Sequence, residues 1–532
     1  MTSAVIPGRD TSRKRTAAHV LLLVSVCAVL FLYRTGSLPL ADPEEPRCAL
    51  IVREMDRGGD WLVPHLDGAV YYDKPAPYFW LAALGQKLTG SPELGGRLVS
   101  ALAGTLAVVV TYFFGRRLFS PTAGLMGGLM LATGGVFLYV ARWYRMEMPC
   151  VAAMWAAMWW FWRVEDAPDD RVRRRRWYGF YLFCAVATLM KGPIGLGLPV
   201  LIVGTYLLLS GRPRRVLELF HLPGMLLYLL VAAPWYVVMS LRVPGYAAEF
   251  FIQQNLARFT EHTGGAHGMP ALLFIPVVLA GLLPWVTFLP SACARGFPRR
   301  WRHRAEHPGE LFLWLSALVP LGFFMLSGTK LVHYVLPVFA PLAVLLGGAA
   351  ARWTAEDAAI GPRRGAWMLS VSAMVLPVLL VPSEMLLGSV DFWLGLPWAV
   401  GVAGVVGVWM CVRRHRRSLA FGVTVAAVIV VLLFIFEHTA PPLYNLLSTR
   451  ALARCVNPSD ASSASYWFWD TRKLSFEFYV DAPVHRGSHD SPGALERLVA
   501  EMASDRRVYC LVSHRERFVE LQQRCPGRFF VL

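Results

Sequence analysis

The chain has 532 residues and a formal net charge of +17; 56% of it is hydrophobic, only 16% is charged, and its mean hydropathy is +0.46. Soluble domains run nearer about 45–50% apolar and about 25% charged, so these values exclude a disordered chain, a coiled coil, a collagen and a small disulfide scaffold. The positive charge would suit nucleic acid in a soluble protein. Here the arginines stand in short clusters between long apolar runs, the pattern of a polytopic membrane protein, and no nucleic-acid partner is expected.

About thirteen runs are long enough to cross a bilayer: 17–33, 95–114, 121–140, 146–163, 177–190, 192–210, 217–239, 271–290, 309–326, 335–351, 366–387, 395–412 and 419–438. The basic clusters test this count. Arg9, Arg13, Lys14 and Arg15 precede the first run, and further clusters follow every second run as far as Arg413, Arg414, Arg416 and Arg417. All of them fall on one side, which the positive-inside rule makes cytoplasmic. The N-terminus is then cytoplasmic, and an odd number of spans leaves the C-terminal tail outside. No small-residue cleavage site follows the first run, so it reads as a retained helix rather than a signal peptide.

Three segments lie outside. The first, residues 34–92, carries eight acids and fewer bases. Within it Glu45–Arg57 reads as an amphipathic helix with Leu50, Ile51 and Met55 on one face, ended by Gly58 and Gly59. A second short helix follows Pro77. The second outer segment is 240–270, and the third is the tail, 439–532. In the tail, alternating segments at Ser465–Trp469, Phe476–Val480, Val508–Val512 and Phe529–Leu532 read as strands. Pro492–Ala503 and Glu516–Gln523 read as helices, which makes the tail a small α/β domain. Cys455, Cys510 and Cys525 face an oxidising side there, which admits one disulfide among them.

There is no Walker A and no GxGxxG, so no nucleotide cofactor is expected. Charged residues gather instead at the outer ends of the spans, where they face a cavity rather than lipid. They are Asp42 to Arg47, Asp73 and Lys74, Arg142 to Glu147, and Ser327 to Tyr334, with Lys191 and the 253–267 stretch on the same side. Carboxylates suit activation of an acceptor hydroxyl. Lysine and arginine suit a phosphate, and at a membrane surface that means a lipid phosphate. The plainer readings are outer-leaflet charges for Arg142 and Arg145, a solvated helix start for Glu44 and Glu45, and an ordinary loop histidine for His267. The glycines between Gly124 and Gly135 read as helix packing.

The runs Glu44-Glu45-Pro46-Arg47, Arg53-Glu54-Met55, Gly59-Asp60-Trp61-Leu62-Val63-Pro64-His65-Leu66 and Asp73-Lys74-Pro75 resemble the first periplasmic loop of the aminoarabinose transferase family, which is distantly related to protein O-mannosyltransferases. Lys191-Gly192-Pro193, Pro234-Trp235-Tyr236, Arg258-Phe259, Pro284-Trp285 and Thr329-Lys330-Leu331 follow in the family's order. The resemblance implies a bacterial inner-membrane protein of the GT-C fold: a transmembrane catalytic part, 1–438, and a periplasmic α/β domain, 439–532. It implies a glycosyltransferase that takes a sugar, such as aminoarabinose or another pentose or hexose, from undecaprenyl phosphate. The acceptor would be a lipid such as lipid A, a glycan or a protein. Rival readings are a protein O-glycosyltransferase of the same fold and a flippase for lipid-linked sugars. By the same resemblance Glu44, Glu147 and Glu45 are the catalytic carboxylates, and Arg47, Lys74, Arg258, Lys330 and Tyr334 bind the donor phosphate. A divalent metal would sit on Asp73 and His267. Glu44 and Glu147 stand where the family has aspartates, and Asn255 stands where the aminoarabinose subgroup has a histidine; both departures bear on the sugar and the acceptor.

Overall fold

The computed structural model describes residues 9–260, 270–296, 306–355, 361–387, 395–456, 464–488, 491, 493–504, 506–512 and 515–524. The apolar runs are helical because a backbone in lipid must satisfy its own N–H and C=O groups. The first outer segment contributes α2 (Glu44–Gly58) and α3 (Ala76–Thr89) after α1 (Arg9–Leu32), with the small hairpin β1 (His65–Leu66) and β2 (Ala69–Val70) between them. Next come α4 (Pro92–Leu118), α5 (Pro121–Ala132), α6 (Gly135–Ala141), α7 (Glu147–Glu165), α8 (Asp170–Lys191), α9 (Ile194–Leu209) and α10 (Leu222–Arg242). The second outer segment carries the π-helical stretch Ala248–Ala257 and α11 (Arg258–Thr260). They are followed by α12 (Phe274–Gly281), α13 (Leu289–Gly296), α14 (Pro308–Leu326), α15 (Leu336–Thr354), α16 (Pro362–Leu387), α17 (Gly395–Arg413) and α18 (Arg417–Phe434).

Among the described residues, eight helices are long and apolar enough to cross a membrane, or ten if each of two bent pairs is one span. The bent pairs fall on the expected runs 121–140 and 271–290. The first turns by 68° between α5 and α6, and the second by 100° at the break before Trp285. The runs expected at 146–163, 177–190 and 192–210 are α7, α8 and α9, which are helical but outside that criterion; α9 has only 16 residues.

Close approach of backbones explains the glycine-rich stretch. A Cβ on Gly115 would stand 2.6 Å from the Cα of Gly124, and one on Gly347 would stand 2.5 Å from the N of Gly127. Thus α5 lies against both α4 and α15 with no side chain between, as small-residue interfaces in lipid do. Around this contact Phe114, Trp155, Phe161, Tyr206 and Phe312 join rings from α4, α7, α9 and α14, with centroids 4.4–6.2 Å apart. Such pairs add about 0.5–1.5 kcal/mol each beyond area burial.

The polar contacts sort to two ends of the bundle. At one end Arg15 donates to Thr122, Arg117 pairs with Asp166, and Arg212 and Arg215 pair with Glu165. At the other end Arg34 pairs with Glu437, and Arg142 donates to the Leu30 and Tyr33 carbonyls while covering the Phe436 ring. Arg142 is therefore a buried tie between helix ends rather than an ordinary outer-leaflet charge.

After α18 the helical stretch runs on, through a π turn at Ile435–Thr439, to α19 (Ala440–Leu446), so Arg417–Leu446 is one 30-residue stretch. The tail then supplies α20 (Arg450–Cys455), β3 (Ser465–Trp469), α21 (Leu474–Val480), β4 (Val484–Gly487), α22 (Ala494–Met502), β5 (Val508–Val512) and α23 (Arg515–Arg524). The sheet has the order β4-β3-β5, with β3 parallel to both neighbours. All five residues of β3 are buried, which is the burial of a central strand covered on both faces. The strand expected at Phe476–Val480 is instead the helix α21; Leu474, Ser475, Phe476, Glu477 and Phe478 are all buried in it. Cys455 and Cys510 are free thiols, so no disulfide joins them. Cys525 and the strand expected at Phe529–Leu532 lie outside the described residues.

The tail is tied to the first outer segment. Asp481, at the C-cap of α21, receives Arg53 and Arg57, each at 2.6 Å. Arg53 also lies 4.1 Å from the Phe478 ring centroid. Asp67 receives Arg472 and Arg486, and Asp42 accepts from both the backbone N and the hydroxyl of Ser475.

Candidate active site

The site is built where α2 starts. Two acids occupy its first turn, where the helix dipole favours negative charge. Its C-cap is Gly59 at φ 70°, a left-handed position that glycine takes at little cost, and the Gly59 N–H closes onto Met55 O. The face carrying Cys48, Ala49, Ile51, Val52 and Met55 is buried. One side of the helix is thereby fixed, and its N-terminal acids are held at the mouth of the bundle.

The adjacent acids have different fates. Glu45 is fully buried. Its Oε1 accepts from Arg97 Nε at 2.9 Å and from the Tyr144 N–H at 2.9 Å; its Oε2 accepts from Arg97 Nη2 at 2.6 Å and from the Ala41 N–H at 2.9 Å. Arg97 in turn gives its remaining donors to the carbonyls of Thr35, Leu38 and Pro39. Every guanidinium N–H and every carboxylate lone-pair direction is in use. This corrects the expectation that Glu45 is a catalytic carboxylate: with no free oxygen and no exposure, it is the fixture that seats α2 on α4.

Glu44 is different. Its side chain is 25% exposed; Oε1 meets Arg47 Nη1 at 3.0 Å and Oε2 meets Arg145 Nη2 at 3.5 Å. Arg145 then carries the contact inward, its Nε standing 3.0 Å from Glu147 Oε2. Glu147 opens α7 and is only 2% exposed; its Oε1 lies 3.0 Å from Lys191 Nζ and 3.5 Å from His333 Nε2. Lys191 Nζ also sits 5.1 Å from the Tyr334 ring centroid. Lys74 Nζ binds Asp73 Oδ1 at 2.6 Å and lies within electrostatic reach of His333. The result is a chain of alternating charge, Arg47–Glu44–Arg145–Glu147–Lys191, with Lys74 and His333 beside it. Among the described residues four cations, Arg47, Lys74, Arg145 and Lys191, are paired here with three carboxylates, Glu44, Asp73 and Glu147.

Of the expected residues, Glu44, Arg47, Glu147 and Tyr334 meet in this chain, with Asp73 and Lys74 alongside. Lys330 is buried and donates to Ser327 O at 2.7 Å. Its loop is next to the second outer segment, since Gly328 N donates to Phe259 O at 2.8 Å. Arg258 begins α11 there, but its side chain lies outside the described residues, as does all of His267. Of the two residues expected to hold a metal, only Asp73 is among the described residues. The Lys74 ammonium meets its Oδ1, and no group of three or more His, Cys, Asp or Glu is placed to hold a metal ion among the described residues. Arg145, Lys191 and His333 were not among the assigned site residues, although each stands in a motif that drew attention. Asn255 donates to Phe250 O at 2.7 Å and lies next to Gly192, beside Lys191.

Residues 73–237 match the family model described as dolichyl-phosphate-mannose-protein mannosyltransferase. Two relatives, both named undecaprenyl phosphate-alpha-4-amino-4-deoxy-L-arabinose arabinosyl transferase, are from Edwardsiella ictaluri and Aeromonas salmonicida. The first is 33% identical over 62% of this chain and 60% of its own length, and the second 32% over 68% and 66%. The matched part thus spans somewhat less than two thirds of either relative. In three dimensions the chain is similar to ArnT from Cupriavidus metallidurans bound to undecaprenyl phosphate, with a TM-score of 0.77, 22% identity and coverage of 96% of this chain and 95% of that one.

Proposed function

We propose, for a chain of the ArnT-like GT-C family, that it transfers a sugar from a polyprenyl-phosphate carrier to an acceptor on the outer side of the bacterial inner membrane. The observation that carries this reading is the alternating charge chain from Arg47 to Lys191 at the mouth of a membrane bundle. Its relatives' names and the carrier in the Cupriavidus structure supply the substrate class.

The acceptor oxygen bonds to the anomeric carbon, the bond from that carbon to the carrier's phosphate oxygen breaks, and the electron pair leaves on the phosphate. Arg47, Lys74 and Lys191 are the accessible cations that meet this charge, with Lys330, Arg258 and Tyr334 joining from the later loops. Glu44 is the partly exposed carboxylate, and it takes the acceptor's proton when the acceptor is a hydroxyl. Glu147, buried between Arg145 and Lys191, acts through those two cations as a positioning residue. No step is assigned to a metal.

The acceptor is a lipid such as lipid A, a glycan or a protein. The match over residues 73–237 favours a protein hydroxyl as the second reading. Reconstituted protein given a labelled undecaprenyl-phosphate sugar should release undecaprenyl phosphate and pass the label to an acceptor. Passage of the intact donor across the vesicle without release of carrier would overturn the reading in favour of a flippase.

A further inference from the structure

A cavity of about 300 Å³ lies where the start of α4 meets the tail, lined by Glu93, Arg450, Ala453, Arg454 and Tyr479. It shares no residue with the charge chain around Glu44. Its size is at the lower end of the range for small-ligand sites.

Its depth relative to a membrane follows from helix length. The 30 residues of Arg417–Leu446 span roughly 45 Å, whereas the apolar core of a bilayer takes roughly 30 Å. Counted from the basic start of α18, the apolar core ends near Glu437, where Arg34 pairs with it. The residues that follow lie at the headgroup level. There Leu443, Leu446, Leu447 and Leu452 are exposed. Leucines exposed beside arginines are the make-up of a segment that lies in the interface.

The charges of the lining suit an anion. Glu93 is already engaged: Tyr479 donates to its Oε1 at 3.0 Å, Ser91 donates to its Oε2 at 3.2 Å, and Arg450 approaches to 3.7 Å. Among the described lining residues, two arginines stand against one engaged carboxylate, an excess of one positive charge. Arginine forks match phosphate oxygens.

We infer that this cavity binds the phosphate of a lipid headgroup in the leaflet on the tail's side, with Leu443, Leu446 and Leu447 against the lipid's chains. The inference does not rest on the transfer reaction. The test uses the full chain in neutral detergent, in a Lys74→Ala background that weakens the donor site. It is titrated with dihexanoyl phosphatidic acid, dihexanoyl phosphatidylcholine and inorganic phosphate, and binding is followed by tryptophan fluorescence. Phosphatidic acid should bind best. Arg454→Gln, which removes an exposed side chain, should weaken it about threefold, and the pair Arg450→Gln, Arg454→Gln about tenfold or more. Leu446→Gln with Leu447→Gln should weaken the lipid and leave inorganic phosphate unchanged. Equal binding by wild type and both arginine variants would overturn the site. Inorganic phosphate binding as well as the lipid would make it a free-anion site and overturn the lipid assignment. Equal binding of phosphatidylcholine would remove the phosphate monoester from the recognition.

Discussion

Glu44→Gln keeps the shape of the side chain but removes the charge and the basicity, and its single carbonyl oxygen can accept from only one of Arg47 and Arg145. A general base contributes about 10²–10⁴-fold, so the variant should lose most of its turnover while still inserting and folding. Full activity of Glu44→Gln in membranes where the protein is present would defeat the assignment. Glu44→Asp retracts the carboxylate by about 1.5 Å, one C–C bond, and a misplacement of that order can cost about a hundredfold. Lys74→Ala should lose a charge-assisted contact of about 1.5–3 kcal/mol, roughly 10–100-fold in donor use. Lys74→Arg should recover little, because a planar fork does not replace a point charge beside Asp73; recovery to wild-type rate would argue against direct contact with the phosphate. The sequence announced a doublet of acids but not which of the two would face inward. Adjacent helical residues point about 100° apart, and only the position of Arg97, some fifty residues later in the chain, decides that Glu45 is the buried one. Arg145, Lys191 and His333 were visible as polar residues at the ends of spans. That all three converge on Glu147, itself an expected site residue, was not, since that convergence is made by α7, α8 and the loop before α15.

At the scale of elements, α2 and α21 are held together by Arg53. It spans Asp481, the Phe478 carbonyl and the Phe478 ring, and its side chain is mostly buried. Arg53→Ala should cost about 1–3 kcal/mol of tail attachment and speed proteolysis within the tail, whereas Arg57→Ala, at a more exposed pair, should cost under about 1 kcal/mol. Equal protease resistance of wild type and Arg53→Ala would show that the tail is held elsewhere. The junction also carries two carboxyls that titrate above their ordinary values. Burial pushes Asp42 up, partly offset by its bonds from Ser475, and burial pushes Glu477 up against the opposing bond from Arg486. Each keeps its proton in the folded state after the unfolded chain has lost it. Their contribution is therefore fully present below the ordinary values of 3.8 and 4.5 and is lost as pH rises through the raised ones. The double variant Asp42→Asn, Glu477→Gln should flatten the fall in melting temperature across that window; an unchanged slope would assign the effect to other groups. That α21 is a helix was hidden from periodicity, because a short apolar run reads as strand or helix alike. β4, with only Val484 as a strand-forming signal in Val-His-Arg-Gly, gave no alternation to detect. The helices α5 and α6 were expected as one straight span. Gly134 and Gly135 mark the bend, but a hydropathy run carries length and not direction.

For the whole molecule the decisive question is which end faces the cytoplasm. The basic clusters placed Arg15, Arg117, Arg212, Arg215 and Arg417 on one side by counting alone. The structure gathers them independently. Arg15 reaches Thr122, Arg117 reaches Asp166, Arg212 and Arg215 reach Glu165, Arg352 lies 5.9 Å from the Phe119 ring centroid, and Arg417 donates to Trp353 O. A single miscounted span among α8 and α9 would have carried Arg212 and Arg215 to the end that holds Lys191 and Glu147. Instead Glu165 and Glu147, the two ends of α7, receive arginines 212 and 215 and lysine 191 respectively, as α8 and α9 running opposite ways require. The charge chain, the junction with the tail and the cavity at Arg450 all lie toward the other end. If the arginine-rich end is cytoplasmic, a reporter active only outside the cytoplasm should work when fused after Leu532 and fail when fused after Arg414. The same reporter fused after Arg212 should fail, and fused after Gly192 it should work. Activity at both Arg212 and Gly192 would mean that α9 does not cross, and the donor chemistry would then have to be sought on the face where the arginines gather.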